Sequence, residues 1–446
     1  MSIKKTVAAV AALGAVALGC NIATIPATAD PVSNSYAIVG SDTLEDVVSA
    51  LVNGTAITGS FVRVSQNGSF LGSFDATGSD YIVTKPDGIR FGRPNGSGDG
   101  VKALSAAFST TWYGATKTFT PTAQAGKTIS ATSLSSLFKV AIPNQVDISR
   151  SSSSSTPTVA GTTTVTQTNG VGALTRIPFG QDAISIVYNT GITGLDANGY
   201  IPTAQLLSAY SCLNTVTQTM IDADATLAGH LGQPLITANG NTFPVVPVVP
   251  QAGSGTRKDF LKKIGVDGSG NGNLISGSSS CVLEGQEHDA TSTAFTSATN
   301  TIMPMSASRW VAMNTGASYD KRGTATMGST VAGQDAVTAG TKVGSLYPDM
   351  VPNSAFYADA TWGRTTYLIV ETGRIDSTYD YDLTTDGVQN TRYDANLAAL
   401  LDVAQNKLAN VQTTLASKVG SVKKKFGFLA PLDTAITRCN TATSTQ

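Results

Sequence analysis

Short apolar, β-branched runs alternate along this chain with stretches of helical periodicity, and three helical stretches open on a Gly-Ser turn. Tyr36-Ala37-Ile38-Val39 reads as a buried strand and Leu44-Glu45-Asp46-Val47-Val48 as the start of an amphipathic helix, with Gly40-Ser41-Asp42-Thr43 between them. Phe243 to Val249 is a second strand-like run, weakened by Pro244 and Pro247, which cannot donate to a ladder. Gly253-Ser254-Gly255-Thr256 follows it and leads into a helical stretch from Arg257 to Ile264. Gly96-Ser97-Gly98-Asp99-Gly100 precedes a further helix from Val101 to Phe108. Strand, turn and helix in this order place ligands at the carboxyl ends of parallel strands.

Elsewhere the pattern is plainer. Ile177 to Asn189 turns into a strand that ends at Gly191, a natural crossing between lobes. Leu397, Leu400, Leu401, Ala404, Leu408, Val411 and Leu415 recur at helical spacing, which predicts one core-packing helix capped at Asp394 and stopping by Gly420. Ser151 to Thr156 and Gly161 to Thr168 are low-complexity stretches expected as exposed loops.

The Gly-Ser turns carry the chemistry. The first four N–H groups of a helix lack internal partners, the helix dipole adds partial positive charge there, and glycine lets the backbone approach a ligand closely. Three such ends converging would form a cage for an oxyanion. Each turn alone reads equally as an ordinary helix cap, since Ser, Thr and Asp are common N-cap residues.

At 446 residues the chain is long enough for two lobes. Its 29 Lys and Arg against 30 Asp and Glu, with only 13% charged residues, leave no field to hold nucleic acid, and Lys423-Lys424-Lys425 reads as a solvated turn. Residues 1–29 resemble an export signal, with Lys4-Lys5, an apolar run from Val7 to Gly19, and Ala27-Thr28-Ala29 before Asp30. Ala17-Leu18-Gly19-Cys20 also resembles a lipoprotein box, so a lipid anchor at Cys20 is the one route to a membrane. Of the remaining cysteines, Cys212 and Cys281 are expected to bridge and Cys439 to be the odd one.

No enzyme signature holds together. Gly126-Lys127-Thr128 lacks the glycine of a P-loop, Pro121 standing in its place. Ser254 has no histidine pattern to serve as its base, since His230 and His288 read as residues of featureless loops. Glu284 and His288, four apart, are too few for a metal site. Neither catalysis, metal nor cofactor is expected.

Gly40-Ser41-Asp42-Thr43, Asn95-Gly96-Ser97-Gly98, Asp147-Ile148-Ser149-Arg150-Ser151 and Gly253-Ser254-Gly255-Thr256-Arg257 with Phe260 together resemble the phosphate-binding substrate-binding proteins of bacterial ABC transporters, in an actinobacterial form. The resemblance runs from about Tyr36 to about Met305, and more faintly to Leu432. It implies an α/β fold of the type II periplasmic-binding-protein kind, with two lobes of mixed sheet flanked by helices and Ser/Thr/Gly-rich loop insertions. Residues 30–187 would begin lobe 1, 188–310 would form lobe 2, and 311–446 would return to lobe 1 and its C-terminal helix.

It further implies a small oxyanion, phosphate first, as ligand and a transporter permease as partner. Ser41, Thr43, Ser97, Ser254, Gly255 and Thr256 would touch the ligand, and Ser149, Arg150, Ser151 and Ser152 would match a loop where the family presents an aspartate. Asp42 or Asp99 could replace that aspartate. Gly96, Gly98, Gly253 and Arg257 complete the turns, and Pro250 stands where the family carries an arginine, leaving Arg150, Arg257 or Arg93 to grip the anion. A surface protein that kept the fold without the ligand, and an exported serine hydrolase, are the alternative functions.

Overall fold

The computed structural model describes residues 36–68, 70–108, 140–154, 174–266, 281–339, 350–379, 390, 392–411 and 417–439. The export signal, Cys20, the 126–128 triplet and the 161–168 stretch lie outside them. Among the described residues no helix is long and apolar enough to cross a membrane.

The chain forms a mixed α/β structure around one large sheet. Its strands are β1 (Tyr36–Gly40), β2 (Leu71–Ser73), the small hairpin pair β3 (Tyr81–Ile82) and β4 (Phe91–Gly92), β5 (Ile148–Ser151), β6 (Leu174–Tyr188), the hairpin β7 (Leu235–Ala238) and β8 (Asn241–Pro244), β9 (Val246–Pro250), β10 (Leu283–Gly285), β11 (Thr301–Ser306), β12 (Thr326–Met327), the pair β13 (Val337–Ala339) and β14 (Met350–Pro352), β15 (Gly363–Glu371) and β16 (Thr437–Cys439). The main sheet runs β10-β9-β11-β6-β15-β5-β1-β2, with β12 and β16 also on β6. β1 is parallel to both β2 and β5, and β15 is antiparallel to β5 and β6.

β6 joins the two halves of this sheet. Leu174 to Ala183 pairs with β15, and Ile184 to Tyr188 pairs with β11. Its apolar run of Ile177, Phe179, Ala183, Ile184, Ile186 and Val187 is fully buried, as a strand covered on both faces requires. Each half has its own apolar core. One gathers Ile38, Leu44, Val48, Ile148, Leu368 and Leu400; the other gathers Ile186, Tyr210, Val249, Phe260, Ile302 and Trp362. Residues 326–339 and 350–362 pack on the second half, and the chain returns to the first along β15.

Four helices matter for the site: α1 (Glu45–Asn53), α2 (Ser97–Phe108), α3 (Gly255–Lys263) and α4 (Ala307–Asn314). α2 begins at Ser97, earlier than its apolar periodicity predicts. Phe260 anchors α3, its ring edge-on to Tyr210 at 4.8 Å. Cys212 and Cys281 are bridged, with Cα atoms 5.7 Å apart, and Cys439 is free and buried on β16.

Four expectations need correction. The Phe243 to Val249 run is two strands, β8 and β9, parted at Val245, whose N–H goes to the Pro234 carbonyl. Ser151, Ser152 and Ser153 are buried at the end of β5, not an exposed loop. The helix expected from the Asp394 cap to Gly420 is a short helix, Ala395–Leu400, capped by Asp394 as predicted, then turns to residue 411, and, past residues 412–416 with Leu415, which lie outside the described residues, a second helix, Lys418–Lys425, with Gly420 inside it. The break has a local cause. Asp402 accepts from the Ala404 N–H, Asn410 donates to the Gln405 carbonyl, and Asn406 accepts from the Val419 N–H, so polar side chains take over backbone partners that a helix would have used.

The fourth correction is Lys423, which is fully buried rather than solvated. Its ammonium donates to the carbonyls of Phe179 and Asn410 at 2.8 and 2.7 Å and lies 3.8 Å from the Phe179 ring centroid. Burial pushes its pKa well below the ordinary 10.5. The unfolded chain therefore binds this proton more readily than the folded one in the interval up to 10.5, so the lysine's contribution to stability rises with pH there. Urea titrations should show the stability difference between the natural protein and Lys423→Met growing in favour of the lysine as pH rises from 7 toward 10. Parallel pH profiles would contradict this account.

Candidate functional site

At the end of β1, Gly40 takes φ +108°, and a Cβ there would lie 2.6 Å from the Arg150 carbonyl oxygen, so only glycine lets β1 turn against β5. The Ser41 N–H then donates to that carbonyl at 3.1 Å. The Ser41 hydroxyl donates to the Ser152 Oγ at 3.0 Å. Ser152 also sits 3.3 Å from the Ser97 Oγ, and its N–H donates to the same atom at 3.0 Å. The first two turns thus meet over the serine that follows β5.

The third turn closes on them from the other half of the sheet. Gly98 N–H donates to the Gly253 carbonyl at 3.0 Å. A Cβ on Gly255 would lie 2.4 Å from Ser97 Oγ and 2.7 Å from Ser152 Oγ, and one on Gly96 would lie 2.5 Å from the Gly253 oxygen. Ser254 caps α3 by accepting from the Arg257 N–H at 3.0 Å. Asn95 stitches the seam alongside, accepting from Gln251 at 2.8 Å and donating to Gln286 at 3.2 Å.

The arginine at the centre is Arg364, which the motif analysis does not identify. It stands on β15 directly across from Asp182 on β6. Its Nε and Nη2 donate to one carboxylate oxygen of Asp182 at 3.0 and 2.8 Å, and Nη1 donates to the Ser152 carbonyl at 3.1 Å. Nη2 also reaches Thr256 Oγ1 at 2.9 Å and Thr43 Oγ1 at 3.4 Å. One guanidinium therefore touches the first turn, the third turn and the loop between them. Asp182 is held in turn by the Ser306 hydroxyl and the Ser308 N–H at the start of α4.

The arginines named from the sequence are spent elsewhere. Arg150 is buried with its guanidinium on Ser73 and the carbonyls of Gly40 and Phe74. Arg257 donates to the Pro250 carbonyl and pairs with Glu284 at 2.7 Å. Arg93 donates to the carbonyls of Ser79 and Asp75. Of the two candidate aspartates, Asp42 lies 3.6 Å from Arg309 on α4, and burial raises its pKa despite that arginine. Asp99 is buried against Gly253, 3.7 Å from Lys102. Ser149 donates to the Arg150 carbonyl, and Ser151 accepts from the Ser153 N–H.

His288 lies in a loop, in the turn after β10 as expected, but that turn is buried and His288 is a member of the site. Its Nε2 is 2.9 Å from Thr43 Oγ1, and its Nδ1 accepts from the Ser306 N–H at 3.3 Å. The Ser306 N–H makes Nδ1 the acceptor nitrogen, and Nε2 faces Thr43. Beside it, Glu287 Oε1 is 3.2 Å from His288 Nε2 and 3.4 Å from Thr43 Oγ1. Burial alone would raise the Glu287 carboxyl; the His288 ring and the hydroxyls of Thr256 and Ser254 outweigh it and hold the pKa at about 2. Its Oε2 is nonetheless buried with no hydrogen-bond partner. Among the described residues no group of three or more His, Cys, Asp or Glu is placed to hold a metal.

Fold and geometry together define a protein of two α/β halves meeting at a buried, hydroxyl-lined site. No family model matches the chain, and no curated protein does. Among solved structures it is similar to an ABC-type phosphate transport receptor from Vibrio cholerae, at 13% identity over 76% of this chain and 87% of that one, with a TM-score of 0.38. A phosphate binding protein from Stenotrophomonas maltophilia matches at 12% identity over 76% and 79%, TM-score 0.35. A human phosphate binding apolipoprotein matches at 13% over 76% and 81%, TM-score 0.35.

Proposed function

We propose that this chain is an extracytoplasmic binding protein that captures a small oxyanion, inorganic phosphate first, between its two halves and delivers it to the permease of an ABC transporter. The observation that carries the reading is the convergence of three glycine-serine turns and Arg364 on one buried point. Ser41, Thr43, Ser97, Ser254, Gly255 and Thr256 are assigned to the ligand. The remaining turn residues shape the loops around it. Donors fixed in a site that excludes water are what an anion needs in exchange for its hydration shell.

Thermal unfolding with phosphate, sulfate and chloride tests the reading, since a ligand that binds only the folded state stabilises it by about 2.7 kcal/mol at a hundred times its Kd. Phosphate is expected to raise the melting temperature and chloride to leave it unchanged. Ser254→Ala should then weaken phosphate binding by about 1.5 to 3 kcal/mol, a hydrogen bond to a charged ligand. It should also cost about 0.5 to 2 kcal/mol of stability, because the same hydroxyl caps α3. Calorimetric titration separates the two effects. A Ser254→Ala protein with full affinity would remove that serine from the site.

A further inference from the structure

The hydroxyls that the proposed function assigns to the ligand already have an acidic neighbour. Glu287 follows β10 in a short segment that is pinned on both sides. Its N–H donates to Gln251 Oε1 at 2.7 Å, and Gln251 and the preceding Gln286 both bond Asn95 across the seam. The carboxylate meets Thr43 of the first turn at 3.4 Å and His288 beside it at 3.2 Å, and the hydroxyls of Ser254 and Thr256 from the third turn help to lower its pKa. An oxyanion bound by these groups would use the same donors. A carboxylate resembles such a ligand in presenting two oxygens that share negative charge on one central atom.

The likeness is incomplete in a way that matters. Oε1 is served by Thr43 and His288, but Oε2 is buried without a partner, so the carboxylate satisfies only part of what the cage can offer. Arg364 does not touch Glu287; it reaches Thr43 and Thr256 and spends its fork on Asp182. A side chain on a tether, with one oxygen left unsatisfied, holds the donors less well than a free ion that can orient itself to use them all. Two anions cannot share those donors, since each hydroxyl has a single hydrogen to donate.

We propose that Glu287 is a resident occupant of the oxyanion position: its carboxylate engages Thr43 across the seam, holds the two halves together in the ligand-free protein, and is displaced when an oxyanion enters. The proposal rests on the oxyanion-binding reading. On this account the glutamate sets affinity by competition, weakening binding while keeping the donors desolvated and correctly placed.

The test uses the full chain and its Glu287→Gln and Glu287→Ala variants, with folding of each verified by circular dichroism. Phosphate titrations at neutral pH should show both variants binding at least tenfold more tightly than the natural protein. Small-angle scattering without phosphate should show both variants with a larger radius of gyration, and added phosphate should return them to the compact value. Weaker or unchanged phosphate affinity in the variants would overturn the proposal and leave the oxyanion reading standing. Variants as compact as the natural protein without phosphate would also overturn it. Failure of all three proteins to bind phosphate or sulfate would sink the oxyanion reading, and displacement with it.

Discussion

Arg364→Met should cost about 3 to 5 kcal/mol of folding stability, the loss expected when one partner of a buried ion pair is removed and the other stays. Arg364 and Asp182 are both fully buried and face each other across β15 and β6. Methionine of similar length fills the space, so the loss reports charge and hydrogen bonding and not a cavity. Asp182 would keep the Ser306 hydroxyl and the Ser308 N–H but lose its only guanidinium partner in the pair. The Ser152 carbonyl would lose its donor as well. Arg364→Lys keeps the charge yet cannot reproduce the fork, so its stability should fall between the two. Equilibrium denaturation in urea measures all three. A loss below about 1 kcal/mol for methionine would mean that water or a neighbour replaces the arginine, and the central place given to it would be wrong.

Gly96→Ala should have the second largest effect, and on binding more than on folding. Its added methyl would lie 2.5 Å from the Gly253 oxygen and 2.9 Å from the Ser254 nitrogen, both backbone atoms of the opposite half. Backbone cannot rotate away as a side chain can, so the seam must open to admit the methyl group. A φ of +116° adds local strain of about 1 to 3 kcal/mol for a residue with a Cβ. If the competent closed form falls to about one molecule in a hundred, apparent phosphate affinity falls about a hundredfold. Scattering should show an expanded particle that phosphate no longer compacts. A variant with unchanged affinity and dimensions would show that the turns do not need to meet for binding.

The turns were legible because their signals are local. A Gly that must adopt positive φ, a Ser beside it and an apolar run before or after it all lie within about ten residues at Gly40, Gly96 and Gly253, and Ser254 caps its helix as well. What could not be read was the set of partners that the sheet order supplies. Asp182 and Arg364 are neighbours only because β15 lies against β6, and no spacing in the chain announces that pairing. A charged residue at the head of the apolar run Tyr367-Leu368-Ile369-Val370 was the available hint, since an arginine entering a buried strand needs a partner. His288 misleads for a related reason. Its surroundings are polar and glycine-containing, which looks like a surface loop until tertiary contacts bury it. The helix expected from residue 395 was misread because periodicity registers apolar spacing and is blind to Asp402, Asn406 and Asn410 competing for the backbone.

The order of strands also sets the order in which the molecule can be completed. The second half draws its core from one nearly continuous stretch, Ala183 to Trp362. The first half is assembled from both ends of the chain: β1 lies beside β5 and, through it, β15, while Tyr36 donates to Asp394 across a separation of 358 residues. β16, at residues 437–439, is added to the same sheet. Loop-closure entropy grows only as the logarithm of loop length, so these distant contacts weigh little on final stability. They weigh on kinetics instead, because non-local pairings are slow to find. A chain delivered from its N-terminus can finish the second half while β1, already beside β2 and β5, still lacks β15 and the residues that follow it, and the site, which needs Arg364 on β15, is the last part of the molecule to exist.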